Sequence, residues 1–411
     1  MKKVYITEIK AEDRRFALHD GDGMDAINKS VFYAYAVCRI KTDAGIDGVG
    51  FSMDLGPGND LICKAIEYMS QKLVGMEIGE MMADLGRISA SIYEQFDYRW
   101  LGPHKGVVHL AAASIVNACY DLWCKVQGVP LWKALTDCTP EQLVAMCDFR
   151  YLEDVITKDE ALSILRAAQK DKAERSKIIE TGYHAYDTSV GWFEYSDEKV
   201  ADNAKKSMDK GFTYLKMKVG SPDPERDIRR TLMLREVVGP EAHIMVDCNQ
   251  QWTLRQALDI IPRLMEADLF FVEEPTHPDD ILAHQTLKRC LPEMTLALGE
   301  HVPNRIIFKN YFQAAAVDIC QADVTRVAGI SEYIVISLMA KKFGIQMIPH
   351  AGDMGQIHQH MIIFNNISVG HESRFMEHIP HLREYFKYPI NVVDGKFVTP
   401  QEPGISADFK D

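Results

Sequence analysis

Seven apolar runs in the second half of the chain end on an ionisable residue, and those ends are almost evenly spaced. YLKMK ends at Lys218, HIMVD at Asp247, LFFVE at Glu273, LALGE at Glu300, DICQAD at Asp323, IQMIPH at His350 and RFME at Glu377. The intervals are 29, 26, 27, 23, 27 and 27 residues, room each time for one strand, one loop and one amphipathic helix. A repeat of βα units on this scale predicts an α/β protein with a (β/α)8-type TIM barrel, an earlier strand over residues 183–189 bringing the count to eight. An open doubly wound sheet would call for a reversal of strand order and a Gly-rich first turn, and neither VGSPDPE nor CNQQW supplies a GxGxxG. After Glu377 a hairpin-like tail, through Pro380, Pro389 and VVDGKFVTP, is expected to return to the front of the molecule.

The first third follows different rules. Residues 4–9 and 35–40 alternate as strands, and the turn KTDAG is expected to close a hairpin onto residues 49–53. From 60 to 125 the apolar spacing becomes helical, and the charged stretch 158–180 reads as one helix. The expected division is an α+β cap over 1–140, completed by 385–411, and a barrel over 141–384.

Composition narrows what such a chain can do. With 47% hydrophobic and 26% charged residues among 411, it is expected to fold throughout. A formal charge of -13 opposes broad contact with nucleic acid or anionic lipid and leaves a small molecule as the expected partner. Nine scattered cysteines without a CxxC pair suggest neither a disulfide framework nor a zinc knuckle and fit a cytoplasmic setting. The N-terminal MKKVYITEIKAEDRRF lacks the apolar core of a secretory signal. The longest uncharged helical stretch, 106–120, stops at Asp121, short of the ~18–20 residues of a membrane span.

In a barrel of this kind the C-terminal strand ends meet at one mouth. A single acidic residue there is simply read as a helix cap or a salt bridge, but Asp247, Glu273 and Glu300 on consecutive strands suit a hard, oxygen-liking cation such as Mg2+. Lys216 and Lys218 are two apart and face the same side of their strand, the interior. Their mutual repulsion and burial are expected to lower the pKa of at least one, providing a base near neutral pH, unless Lys216 serves only to neutralise the acidic triad. Asp323 and His350 lie one repeat apart, where a carboxylate can fix the imidazole tautomer. A base and an acid on opposite sides of a metal-held substrate suit removal of a proton α to a carboxylate.

Together these residues resemble the mandelate racemase branch of the enolase superfamily, which carries a KxK motif, acidic ligands on three successive strands and a His-Asp dyad. Pairing a Lys or His base with Mg2+ is an established pattern of that superfamily. Within the branch the chain is similar to the L-fuconate dehydratases and the related fungal L-galactonate dehydratases. The similarity runs through GPGNDLICKAI, RWLGPHKGVVHLA, NACYDLWCK, DFRYLEDVIT, AYDTSVGW, LKMKVG, VDCNQQW, VEEPTHPDDILAH, NRIIFK, LMAKKFGI and HLREYFKYP.

The resemblance implies a modified (β/α)7β barrel and a Mg2+-dependent hydro-lyase that removes C2-H and C3-OH of an aldonate to give a 2-keto-3-deoxy acid. Lys218 would take the C2 proton, and His350 with Asp323 would help the hydroxyl leave. Lys216 and Glu377 would hold the substrate carboxylate, and Asn249, Ala351 and Gly352 would touch substrate. Gly23, Met24, Asp25 and Tyr33 would belong to a loop, HDGDGMDAIN, that closes over the sugar chain. His358 and His360 are candidates for hydroxyl contacts, with a solvated loop as the other reading. Assembly into a homo-oligomer through the cap is expected. An epimerase or racemase using the same Lys/His pair, another aldonate or aldarate as substrate, and a barrel retired to a binding role are the alternatives; no member of the site is lost, which argues against the last. The chain departs from the family at His184, at Asp187, at GEH (Gly299 to His301), at Met24 and in the loop AGDMGQIHQH, positions expected to shape specificity.

Overall fold

The computed structural model describes residues 3–19, 21–102, 106–352, 354–373 and 375–410. Parts of four motifs, at Asp20, residues 103–105, Asp353 and Arg374, lie outside the described residues. The N-terminal meander is β1 (Ile6–Ala17), β2 (Phe32–Thr42) and β3 (Gly48–Asp54), antiparallel in that order. β1 runs eight residues beyond the alternating stretch, pairing as far as Ala17 with Phe32. Its second half carries ionic pairs in place of apolar alternation: the Arg39 guanidinium lies 2.6 Å from Glu12, and Arg15 lies 2.8 Å from Asp13.

One face of this sheet receives the helix Gly106–Gln127. The two come so close that a Cβ on Gly50 would lie 2.2 Å from the amide nitrogen of Ala118, so only glycine fits. Phe16, Tyr35, Phe51, Phe386 and Phe409 form an aromatic cluster on the sheet, so the residues flanking the expected hairpin return to the cap while the hairpin itself packs on the foot of the barrel. The long helix does not stop at Asp121. That carboxylate is buried and accepts from the backbone amides of Val49 and Ile405, both at 2.8 Å, with the Lys125 ammonium 2.6 Å away. The 22-residue helix is therefore long and apolar enough to cross a membrane, although 83% of its apolar stretch is buried inside the protein, as in a core helix.

The segment 158–180 is not one helix. Thr157 and Glu160 form a capping box for Lys158–Ala168, after which come a 3-10 turn, Gln169–Asp171, and the short helices Lys172–Arg175 and Ile178–Thr181. The Arg175 guanidinium takes the carbonyl of Ala168, and the Ser176 hydroxyl takes that of Lys172 at 2.8 Å. At Ala168 a side chain thus claims a carbonyl that a continuing helix would use, while the Lys172 carbonyl keeps its helical bond from the Ser176 amide at 2.9 Å.

Eight parallel strands make the barrel: β4 (Tyr183–Gly191), β5 (Tyr214–Lys218), β6 (His243–Asp247), β7 (Leu269–Glu273), β8 (Leu296–Leu298), β9 (Ile319–Cys320), β10 (Gln346–Met347) and β11 (Phe375–His378). The ladder runs in sequence order from β4 to β10, and β11 pairs with β4. A helix follows each of the first seven strands; after β11 comes only a 3-10 turn, then the hairpin of β12 (Val392–Val393) and β13 (Lys396–Phe397), which pairs with the foot of β4. This is the modified (β/α)7β architecture. Tyr186, Met245, Phe271, Ala297, Ile319, Ile348 and Phe375 fill the lower interior with apolar side chains. Polar and ionisable groups are thereby displaced to the C-terminal end of the strands, the mouth. Glu300, Asp323 and His350 stand two or three residues past the last paired residue of their strands. All nine cysteines are free thiols.

Candidate active site

The two-residue period of β5 puts both lysines inside the barrel. Lys216 is fully buried, its ammonium 2.8 Å from Glu273, 2.8 Å from Glu377 and 3.6 Å from Asp247. Lys218 lies 2.5 Å from Asp247. The expectation of a lowered lysine pKa is corrected here. Burial does work against both charges, but Asp247 beside Lys218, and Glu273 and Glu377 beside Lys216, outweigh it and hold both ammonium groups above the ordinary lysine range.

Asp247, Glu273 and Glu300 are all buried, and one carboxylate oxygen from each lies within 4.8 Å of the others. Burial and the neighbouring Asp247 push the Glu273 carboxyl up to about 8 despite Lys216, and its Oε1 has no hydrogen-bond partner among the described residues. Crowded hard oxygen donors, one of them unsatisfied, fit a small divalent cation. Glu300 differs: although burial opposes its charge, His350, His301 and Arg326 hold it well below the ordinary carboxylate range. Asn249 and Glu274, one just after β6 and one just after β7, adopt left-handed backbone conformations, φ 43° and 42°. At Asn249 this turns the backbone amide (3.0 Å) and the side-chain amide (3.4 Å) onto Asp247.

His350 Nδ1 lies 2.6 Å from Asp323, and its Nε2 lies 2.8 Å from Glu300 and 3.8 Å from Glu377. Asp323 also accepts from the amides of Gly352 (3.0 Å) and Thr325 (2.7 Å) and from the Thr325 hydroxyl (2.7 Å), which fixes the dyad's orientation. Burial opposes charge on the imidazole, yet Glu300 and Asp323 keep it well above the usual histidine range. Glu377 accepts from the Thr188 hydroxyl at 2.6 Å and the amide of Ala351 at 3.2 Å. With Lys216 and His350 beside it, it stays charged down to about 2 in spite of burial.

The cap closes this mouth. Tyr33 donates to the carbonyl of Gly23 at 2.7 Å, and the carbonyl of Met24 accepts from the amide of Phe193, in the loop after β4, at 3.1 Å. Asp25 takes the amides of Ile27 and Asn28 at 2.7 and 2.6 Å. Asp25, Tyr33, Lys218, Glu300, His350, Gly352 and Glu377 then line one cavity of about 30 Å3, room for a water or two. Of the other residues singled out in the sequence, Lys216, Asp247, Glu273 and Asp323 stand directly behind that lining. Gly23, Met24, Asn249 and Ala351 hold it through backbone or amide contacts instead of lining it.

Two expectations fail. His184 lies at the foot of β4, paired with Phe375 and Lys396, and Asp187 ties β4 to the following helix through the Ser207 hydroxyl, so neither departure lies on the pocket wall. His358 and His360 are neither solvated nor at the pocket. Both are buried in the helix His358–Phe364, His358 accepting from the amide of Val324 at 2.8 Å and His360 lying 3.1 Å from the Ser406 hydroxyl. Sequence reasoning missed Arg326, Trp192 and Thr188. Arg326 and Trp192 line the cavity from loops, three residues past Asp323 and just past the end of β4, whereas Thr188 reaches Glu377 from within β4 itself.

Fold and site together define a class: a capped (β/α)7β barrel whose mouth carries a lysine pair, an acidic triad and a His-Asp dyad. The family model described as "Enolase C-terminal domain-like" matches residues 199–411, and the chain belongs to the enolase superfamily, in its mandelate racemase branch. It is 38% identical to human "Mitochondrial enolase superfamily member 1" over 99% of this chain and 94% of that one. The crystal structure of that human protein superposes with a TM-score of 0.96, covering 99% of this chain and 95% of that one. "L-galactonate dehydratase" of Hypocrea jecorina is 36% identical over 100% of this chain and 93% of its own. The barrel and cap are also shared with L-talarate/galactarate dehydratase of Salmonella typhimurium, crystallised with Mg and L-lyxarohydroxamate, at a TM-score of 0.76, 24% identity and coverage of 100% and 91%.

Proposed function

We propose that this chain is a Mg2+-dependent dehydratase of an aldonate of the L-galactonate or L-fuconate type. The observation that carries the reading is that Lys218 and the His350-Asp323 dyad open onto one small cavity together with Glu300 of the acidic triad. The full-length similarity to an L-galactonate dehydratase supports the substrate class. The Mg bound in a dehydratase of the same fold supports the cation, for which Asp247, Glu273 and Glu300 are the holders.

When bound, Mg2+ supplies positive charge against the electron density that builds on the substrate carboxylate and offsets the negative charge beside Lys218. Lys216, fixed between Glu273 and Glu377, adds a second positive charge for that carboxylate. Lys218 as the free amine takes the C2 proton, the C2–H electrons pass into the substrate carboxylate, and they then return to form the C2–C3 double bond as the C3–O bond breaks. His350, held protonated, gives its Nε2 proton to the departing hydroxyl, which leaves as water. The enol then becomes the 2-keto-3-deoxy acid. A cavity of about 30 Å3 cannot hold a six-carbon acid, so part of its lining has to move for substrate to enter.

The test is to incubate the purified chain with Mg2+ and a panel of aldonic and aldaric acids and to follow new carbonyl groups as semicarbazones, with Lys218→Ala alongside. Carbonyl formation from L-galactonate or L-fuconate that the substitution abolishes supports the reading. Deuterium entering C2 without a new carbonyl sinks dehydration and indicates epimerisation.

A further inference from the structure

We propose that His301 is a positioning residue for Glu300, fixing the rotation of this carboxylate so that it can meet the geometry a bound Mg2+ demands. The role rests on reading Asp247, Glu273 and Glu300 as the cation's ligands. Asp247 and Glu273 are held by ammonium groups, Asp247 by Lys218 at 2.5 Å and Glu273 by Lys216 at 2.8 Å. Among the described residues no lysine pairs with Glu300. Its Oε2 meets His350 Nε2 at 2.8 Å, and its Oε1 meets His301 Nδ1 at 3.1 Å, with Arg326 more distant at 3.8 Å. The two imidazoles therefore grip the carboxylate from its two oxygens.

His301 is itself anchored. Its Nδ1 lies 3.0 Å from Glu274 Oε2, its backbone amide donates to Glu274 Oε1 at 3.4 Å, and the Gln250 side-chain amide donates to Glu274, its nitrogen lying 2.8 Å from the same Nδ1. Glu274 and Glu300 are both buried and, when ionised, can only accept hydrogen bonds. Side by side they repel unless a donor stands between them, and His301 Nδ1 occupies that place, 3.0 Å from Glu274 and 3.1 Å from Glu300; its N–H is shared by the two carboxylates when Gln250 donates to Glu274 alone. Mg2+ accepts only near-octahedral ligand geometry, so a carboxylate free to rotate binds it less well. Groups that orient metal ligands typically change affinity 10- to 100-fold when removed.

The experiment is calorimetric titration of Mg2+ into the full-length, metal-stripped chain, without substrate, with the fold of each variant checked by circular dichroism. His301→Phe keeps a ring and removes the N–H; we expect about ten-fold weaker Mg2+ binding at one ion per chain. His301→Gln restores an N–H and most of the affinity, which a merely space-filling role would not do. The Mg2+ concentration for half-maximal turnover rises in parallel. Should His301→Phe fail to fold, His301→Leu carries the same expectation. Equal affinity in His301→Phe and the unaltered chain, where Glu273→Gln abolishes binding, overturns the role of His301 and leaves the ligand set standing. Absence of Mg2+ binding by the unaltered chain overturns both. Two ions bound by the unaltered chain and one by His301→Phe would overturn positioning in favour of a second cation site at Glu274, Glu300 and His301, whose ligand atoms also lie within 4.8 Å of one another.

Discussion

The two flanks of the acidic triad hold their carboxylates by opposite means. On the lysine flank, Asp247 and Glu273 crowd together around Lys216 and Lys218, and Glu273 is driven toward the neutral acid, up to about 8. On the histidine flank, Glu300 is gripped by two imidazoles and kept fully charged. The difference teaches how one site can ready a base and an acid at once. On the proposed reading, a cation among Asp247, Glu273 and Glu300 would draw their negative charge away from Lys218 and make its ammonium easier to deprotonate. The histidine flank has its charges already matched, which keeps an imidazolium ready to give its proton.

The sharpest way to break this comparison is to silence each flank separately. Lys218→Ala is expected to lower both C2 hydrogen exchange and dehydration by about 10³-fold, within the usual range for loss of a proton-transfer group. His350→Asn should spare C2 exchange, followed by deuterium NMR, while dehydration falls by a similar factor. Loss of exchange in both variants would show that the flanks do not act independently.

The next test concerns folding. Lys216→Met leaves buried Glu273 and Glu377 without their shared cation, and urea unfolding of the metal-free chain is expected to lose about 3–5 kcal/mol. An unchanged midpoint would mean that the carboxylates simply take up protons.

A third prediction follows from Glu273. Its folded pKa is raised, so the stability it contributes is complete below about 4.5 and is lost as pH rises toward 8. Mg2+ must displace that proton, so the stability gained on adding Mg2+, followed by thermal unfolding, should be larger at pH 8 than at pH 6, by at most ~1.4 kcal/mol per pH unit for one linked proton. Glu273→Gln should remove the linked proton. The smallest effect belongs to the foot of the barrel, where His184→Ala should leave KM unchanged and shift stability by no more than about 0.5 kcal/mol.

What could be read in the sequence was set by periodicity. The 27-residue rhythm located Lys218, Asp247, Glu273, Glu300, Asp323, His350 and Glu377 even though β8, β9 and β10 stop two or three residues early, because the helix-loop-strand unit fixes spacing more tightly than hydrogen bonding fixes strand ends. Contacts between units could not be read. The Ala168 carbonyl captured by Arg175 broke an expected helix, and the burial of the Asp121 charge within a helix could not be seen because its partners, Val49 and Ile405, lie far away in sequence. The lysine pKa was misjudged for a related reason: a strand pattern shows two like charges together but not the three carboxylates facing them.

The aromatic cluster of the cap carries a cost in the order of synthesis. Phe16, Tyr35 and Phe51 emerge early, whereas Phe386 and Phe409, which contact them, come last. At about 5–20 residues per second, the sheet waits roughly 20 to 70 seconds on the ribosome with that face uncovered. The barrel must therefore be made, and in large part folded, beside a sticky surface that only the final two dozen residues can seal. A chain cut just before Phe386 would keep every residue of the proposed site and still be prone to clump.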